Sequence, residues 1–222
     1  MTLEFIGLVG AHEQSESDAG NGKIVDIPFI KAFSHAQEYA GFDKVLLAVN
    51  TRAPDSMIIA SYVAAFTEKL GLLVAHRPGF QAPTFAARQF ATLDQLSQGR
   101  ASINVITGGD SGDLQRDGDF LTKDERYART GEYVQIMKQV WQSDQPFDFE
   151  GAFYQVRDNL TEVKPLQKPR VPIYFSGASH AAVEIAAQHA DVYMMWGEPL
   201  EQVAARIEQV REAAKKYGRE NE

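Results

Sequence analysis

Asn104 stands in the middle of an apolar run, Ala101 to Ile106. A buried amide without a partner costs about 1–3 kcal/mol, so Asn104 must meet either a structural partner or a ligand. Arg126 and Tyr127 follow Asp124 and Glu125 where a helical pattern begins. A guanidinium can grip phosphate with two parallel N–H bonds, and a phenol can add another. The same four residues also suit a solvated first turn whose acids complement the helix dipole. Ser179 lies between an apolar run and a helical pattern. Its hydroxyl can cap that helix, or the helix start can cradle an anion. His12 and His76 each end an apolar run, where an imidazole suits proton transfer, anion binding or a structural bond. Arg77 offers a charge to an anion or to a salt bridge, and Asp113 sits in a polar loop. Trp196 follows the last apolar run and reads more readily as core than as site, and Met194 and Met195 read as core.

Short strands must carry these residues. Apolar runs predict strands over Leu3 to Val9, Lys44 to Val49, Leu72 to Ala75, Ala101 to Ile106, Ile173 to Ser176 and Val192 to Met195. Helical spacing covers Ile27 to Ala40, Pro54 to Lys69, Pro83 to Gln98, Asp124 to Gln142, Ala181 to His189 and Leu200 to Lys216. Glu13 to Lys23 and Gly108 to Lys123 read as polar loops, and Phe147 to Arg157 as a small hairpin. Strands that do not alternate, each followed by a helix, indicate a parallel sheet with helices on its outer face. Six such units are expected, the fourth enlarged by an insertion at 108–170, in one domain over 1–222. In α/β folds ligands bind where the strands end, which is where the polar residues above collect.

Composition narrows the function. A net charge of −8 argues against a broad nucleic-acid surface, which would be basic. The chain has no cysteine, which removes disulfides, thiolate metal sites and a cysteine nucleophile. The five histidines show no paired metal-ligand spacing, so no metal site is expected. No run reaches about 18 apolar residues, so neither a signal peptide nor a membrane span is expected, and the expected location is the cytoplasm.

The run from Ala86 through Asp94, Gly99, Arg100 and Asn104 to Gly108 resembles the bacterial luciferase-like flavin monooxygenases. Gly118-Asp119-Phe120-Leu121, Asp124-Glu125-Arg126-Tyr127, Ser176-Gly177-Ala178-Ser179 and Trp196-Gly197-Glu198-Pro199 extend the likeness, which is strongest to the FMNH2-dependent alkanesulfonate monooxygenase group. The resemblance implies an α/β fold, a TIM-type (β/α)8 barrel with about six of eight units present and an insertion after strand 4. It implies that the chain stops before the seventh strand, which in relatives supplies Arg and His to the active site. On its own such a chain is expected to turn over weakly or not at all.

The resemblance also implies roles. Reduced FMN is the cofactor, with Asn104, Asp113, Arg126, Tyr127 and Ser179 as its contacts. His12 and Trp196 are the catalytic candidates, and Arg77 with Trp196 faces the substrate. An organosulfur substrate, O2, an NAD(P)H-dependent flavin reductase and a homo-oligomer are the implied partners. One departure stands out: relatives in the sulfonate group commonly carry a cysteine near Arg52-Ala53-Pro54-Asp55, and this chain has none.

Overall fold

The strand–helix alternation predicted from the apolar runs is present throughout the computed structural model, which describes residues 3–13 and 22–220. The expected loop at Glu13 to Lys23 lies largely outside them. The strands are β1 (Ile6–Leu8), β2 (Lys44–Leu47), β3 (Gly71–His76), β4 (Ala101–Val105), β5 (Phe147–Glu150), β6 (Gln155–Asn159), β7 (Ile173–Ser176) and β8 (Val192–Met194). The helices are α1 (Ile27–Tyr39), α2 (Ser56–Ala64), α3 (Pro83–Leu96), α4 (Ser111–Arg116), α5 (Lys123–Gln142), α6 (His180–His189) and α7 (Leu200–Lys215). Six strands pair in parallel in the order β1-β2-β3-β4-β7-β8, and the sheet curls into a half-barrel. β5 and β6 form a separate antiparallel hairpin.

Successive side chains on a strand point to opposite faces. Val45, Leu47, Leu72, Val74, Ile103, Val105, Ile173 and Phe175 point outward into one core with Ala86, Phe90, Tyr133 and Trp141 of the helices. Burying an aliphatic side chain of this kind stabilises the fold by about 1.5–3 kcal/mol. The alternate positions form the concave face. Register places Ala75 opposite Asn104, Asn104 opposite Tyr174, and Tyr174 opposite Val192, so one row crosses four strands.

The N-terminal end of the sheet is held by side chains whose bonds are all made inside the chain. Arg100 donates to the carbonyls of Ser97, Leu70, Ala64 and Thr67 and to the Thr67 hydroxyl. Burial alone would raise the Glu38 carboxyl, but the N–H groups of Lys69, Leu70 and Glu68, with Arg100, bring it below its ordinary value. Asp94 accepts from the Gln167 backbone and side chain at 3.0 and 2.6 Å. Asp191 takes a two-pronged bond from Arg170 at 2.5 and 2.7 Å.

Several expectations change. The helix expected over Pro54 to Lys69 ends at Ala64, because Arg100 claims the Ala64 carbonyl and Glu38 takes the N–H groups of Glu68, Lys69 and Leu70. The polar loop from Gly108 contains α4, started by Asp110 accepting from the Gly112 N–H. The span 108–170 is not all insertion. α5 packs between α3 and α6, so it is the fourth unit's own layer helix. The additions are the α4 segment before it and the hairpin after it. Met195 is 36% exposed rather than core, because β8 is the edge of the sheet.

Candidate functional site

The C-terminal ends of the strands carry polar groups that the chain leaves unmet. Asn104 is 3% exposed on the concave face, and its Oδ1 accepts from Ser176 Oγ at 3.1 Å. Its amide N–H groups find no acceptor among the described residues. The structure thus supplies half of the partnership that a buried amide requires.

The clearest arrangement lies at the start of α6. Ser179 is the N-cap, and its hydroxyl accepts from the Ala182 N–H at 3.2 Å. The N–H groups of Ala178, Ser179, His180 and Ala181 have no acceptor among the described residues. Gly177 has φ 146°, a conformation that side chains disfavour. A Cβ there would lie 2.8 Å from the Ala182 Cβ and 3.1 Å from the Tyr127 hydroxyl. Tyr127 is 7% exposed, and its hydroxyl makes no hydrogen bond among the described residues. A backbone approach kept clear by glycine, a helix N-terminus and an unmet phenol fit a phosphate.

Local sequence explains how Tyr127 reaches this loop. Thr122 caps α5, and Glu125 accepts from the Thr122 N–H at 2.8 Å, a reciprocal capping box. This fixes the phase of the first turn and turns Arg126 and Tyr127 inward, so neither belongs to a solvated turn. Arg126 is fully buried and donates through Nη1 to the Leu121 carbonyl at 2.7 Å, while its Nε has no partner.

Arg77 and Asp113 meet each other. Arg77 Nη2 lies 2.5 Å from Asp113 Oδ2, and the Thr51 hydroxyl donates to Asp113 Oδ1 at 2.5 Å. The Thr51 hydroxyl first, and Arg77 second, hold the Asp113 carboxyl down at about 2. The salt bridge is therefore the reading of Arg77 that the geometry contains. Arg77 Nε and Nη1 remain buried without hydrogen-bond partners among the described residues, as does the Thr107 hydroxyl just after β4.

The two catalytic candidates are not brought together. His12 follows β1 and Trp196 follows β8, the opposite edges of the sheet. His12 Nδ1 is 3.1 Å from the Ile24 carbonyl. It rims a cavity of about 790 Å³ with Asn50 and Arg52, lined below by Phe29, Phe33 and Phe42. That cavity is lined by α1, the start of α2 and the segments that follow β1 and β2. Trp196 is 83% exposed, so it is not core. His76 does not face the barrel mouth. It points outward, stacks edge-on against Phe90, and its Nε2 lies 2.7 Å from the Tyr133 hydroxyl. Burial pushes its pKa down to about 4.

Sequence reasoning missed Thr51, Gly177, Tyr193 and Arg206. Tyr193 donates to the Gly177 carbonyl, and Arg206 Nη1 donates to the Ala178 carbonyl at 3.0 Å. Only Gly177 left a local signal, as the glycine at a strand-to-helix turn. Among the described residues, no three His, Asp or Glu side chains are grouped to hold a metal ion. No helix there is long and apolar enough to cross a membrane.

A family model described as luciferase-like monooxygenase matches residues 3–222. The chain belongs to the luciferase-like monooxygenase family. A riboflavin lyase solved with modified FMN and riboflavin superposes with a TM-score of 0.85 at 18% identity, over 99% of this chain and 60% of its own. An EDTA monooxygenase from Chelativorans sp. BNC1 gives 0.85 at 18% identity, over 97% and 58%. An F420-dependent secondary alcohol dehydrogenase, solved with an F420–acetone adduct, gives 0.81 at 21% identity, over 99% and 66%. These structures share the fold, and the chain spans about three-fifths of the length of the first two.

Proposed function

We propose that this chain forms the flavin-binding part of an FMNH2- and O2-dependent monooxygenase acting on an alkanesulfonate or related organosulfur compound. The products are an aldehyde and sulfite, with one oxygen atom of O2 on the carbon and the other in water. The observation that carries the reading is the cradle at Gly177 to Ala181, with the Tyr127 hydroxyl aimed at it. When bound, reduced flavin supplies the activation of O2, while the protein orients it and excludes water.

In this reading the cradle and Tyr127 hold the FMN phosphate through Ser179 and its neighbours, and Asn104 donates its free amide N–H to the ring. Arg126 lines the buried side of the same turn. Asp113 sets the position of Arg77, whose unmet N–H groups supply a contact for the sulfonate. Trp196 forms an apolar wall, and His12 transfers or holds a proton near the rim. An NAD(P)H-dependent flavin reductase delivers the reduced cofactor, and the protein works in the cytoplasm as a homo-oligomer.

A second reading is a deazaflavin oxidoreductase on another substrate, favoured by the likeness to the F420-dependent dehydrogenase. Fluorescence titration of the chain with FMN and with F420 separates the two, followed by sulfite assay with reductase, O2 and an alkanesulfonate. Tighter FMN binding and reductase-dependent sulfite are expected. Preferential F420 binding would hand the site to the second reading, and no binding of either would sink both.

A further inference from the structure

We propose that Tyr193 and Arg206 are positioning residues for the phosphate end of the cofactor, acting through the two peptide groups they hold. This rests on the flavin reading above. The Gly177 and Ala178 carbonyls are the acceptors of the two bonds, one from the Tyr193 hydroxyl and one from Arg206 Nη1. In a trans peptide the C=O and the following N–H point in opposite directions. The cis bond among the described residues is Lys168–Pro169, so both peptides here are trans. Holding the Gly177 carbonyl therefore aims the Ala178 N–H the other way, and holding the Ala178 carbonyl does the same for Ser179.

Those two N–H groups are the first of the four without acceptors. Two consecutive peptide planes are thus set before an anion arrives, by donors on the far side of the loop. Arg206 is in turn steadied by its 2.7 Å bond to Gln209 Oε1, one turn along α7. An anion met by the Ser179 N–H lies across the peptide plane from Arg206. The guanidinium acts on it through the loop and not by contact. Preorganised donors avoid the cost of ordering the loop on binding. The cradle is built on β7 and α6, but its aim comes from β8 and α7, the next unit of the fold.

The test compares FMN with riboflavin, which has the same ring and no phosphate, by fluorescence titration of the 222-residue chain. Tyr193→Phe and Arg206→Gln are each expected to lower the FMN-to-riboflavin affinity ratio about tenfold, the size of one lost hydrogen bond to a charged group. Riboflavin affinity should hold within about twofold, since the ring contacts are untouched. Arg206→Lys should restore the ratio, because an ammonium can still donate to the Ala178 carbonyl. Arg206 lies on the partly exposed face of α7, so its replacement leaves the core intact. An unchanged ratio in both variants, or equal loss of both flavins, would overturn the inference while leaving the flavin reading in place. A parent chain that binds FMN no tighter than riboflavin would overturn the phosphate reading itself, and this inference with it.

Discussion

The two ends of the sheet treat arginine in opposite ways. At the N-terminal end, Arg100 reaches four carbonyls and a hydroxyl, and nothing is left over. At the C-terminal end, Arg77 meets one carboxylate oxygen with one nitrogen and buries its Nε and Nη1 unmet. The difference separates an arginine whose donors are all met within the fold from one with donors left unmet among the described residues. Buried donors without acceptors are costly, so they persist where something else completes them. In barrels of this type the strands' C-terminal ends carry the chemistry and their N-terminal ends carry stability.

Removing the fully paired arginine should do the most damage to the fold. Arg100→Met orphans several carbonyls and should lower stability by about 3 kcal/mol in urea unfolding. FMN affinity per folded molecule should not change. A loss of FMN affinity with unchanged stability would erase the division between the two ends.

Acid comes next, and it tests the layer between the ends. Burial holds His76 neutral, with a folded pKa of about 4. Burial, then Lys138, Arg219 and Arg170, push His189 to about 3. Both folded values lie below the unfolded value of about 6.5, so the unfolded chain binds protons first. Stability is therefore full above about pH 6.5 and falls as pH drops toward 4, by about 3 kcal/mol for each histidine. His76→Phe should flatten part of that slope in urea midpoints measured from pH 7 to 4.5. An unaltered slope would show that His76 takes no part.

Tyr127→Phe sharpens the comparison from the other side. Its hydroxyl has no hydrogen-bond partner among the described residues, so the melting temperature should stay or rise slightly while FMN binds about tenfold more weakly, about 1.4 kcal/mol. Loss of stability in this variant would mean the hydroxyl has a structural partner after all.

The smallest effect is electrostatic. Thr51→Val removes the first cause of the depressed Asp113 carboxyl, so its midpoint in an NMR titration should rise from about 2 toward its ordinary value of 3.8. An unmoved midpoint would assign the whole effect to Arg77.

Much of this was legible because strand and helix leave local marks. The strand Ile173 to Ser176 keeps its predicted bounds, and the others move by a few residues at their ends. Arg126 and Tyr127 were found because they follow two acids where a helical pattern begins and match the family run Asp124-Glu125-Arg126-Tyr127. The facing of His76 was not legible. β3 is apolar on both faces, so no alternation told which parity points outward. The pairing of Arg77 with Asp113, across 36 residues, depends on α4, whose six residues hide in a polar stretch. Tyr193 and Arg206 act on backbone carbonyls, which no side-chain pattern reveals.

The Thr122–Glu125 box has a consequence for how this family can vary. The α5 helix closes its own first turn, and Arg126 and Arg129 reach back from it to Leu121 and Asp119. Asp119 and Leu121 thus belong with the capping box to the joint that carries Tyr127, while residues 108–118 lie outside it. The joint lets the segment that carries Asp113, the partner of Arg77, vary apart from the turn that carries Tyr127.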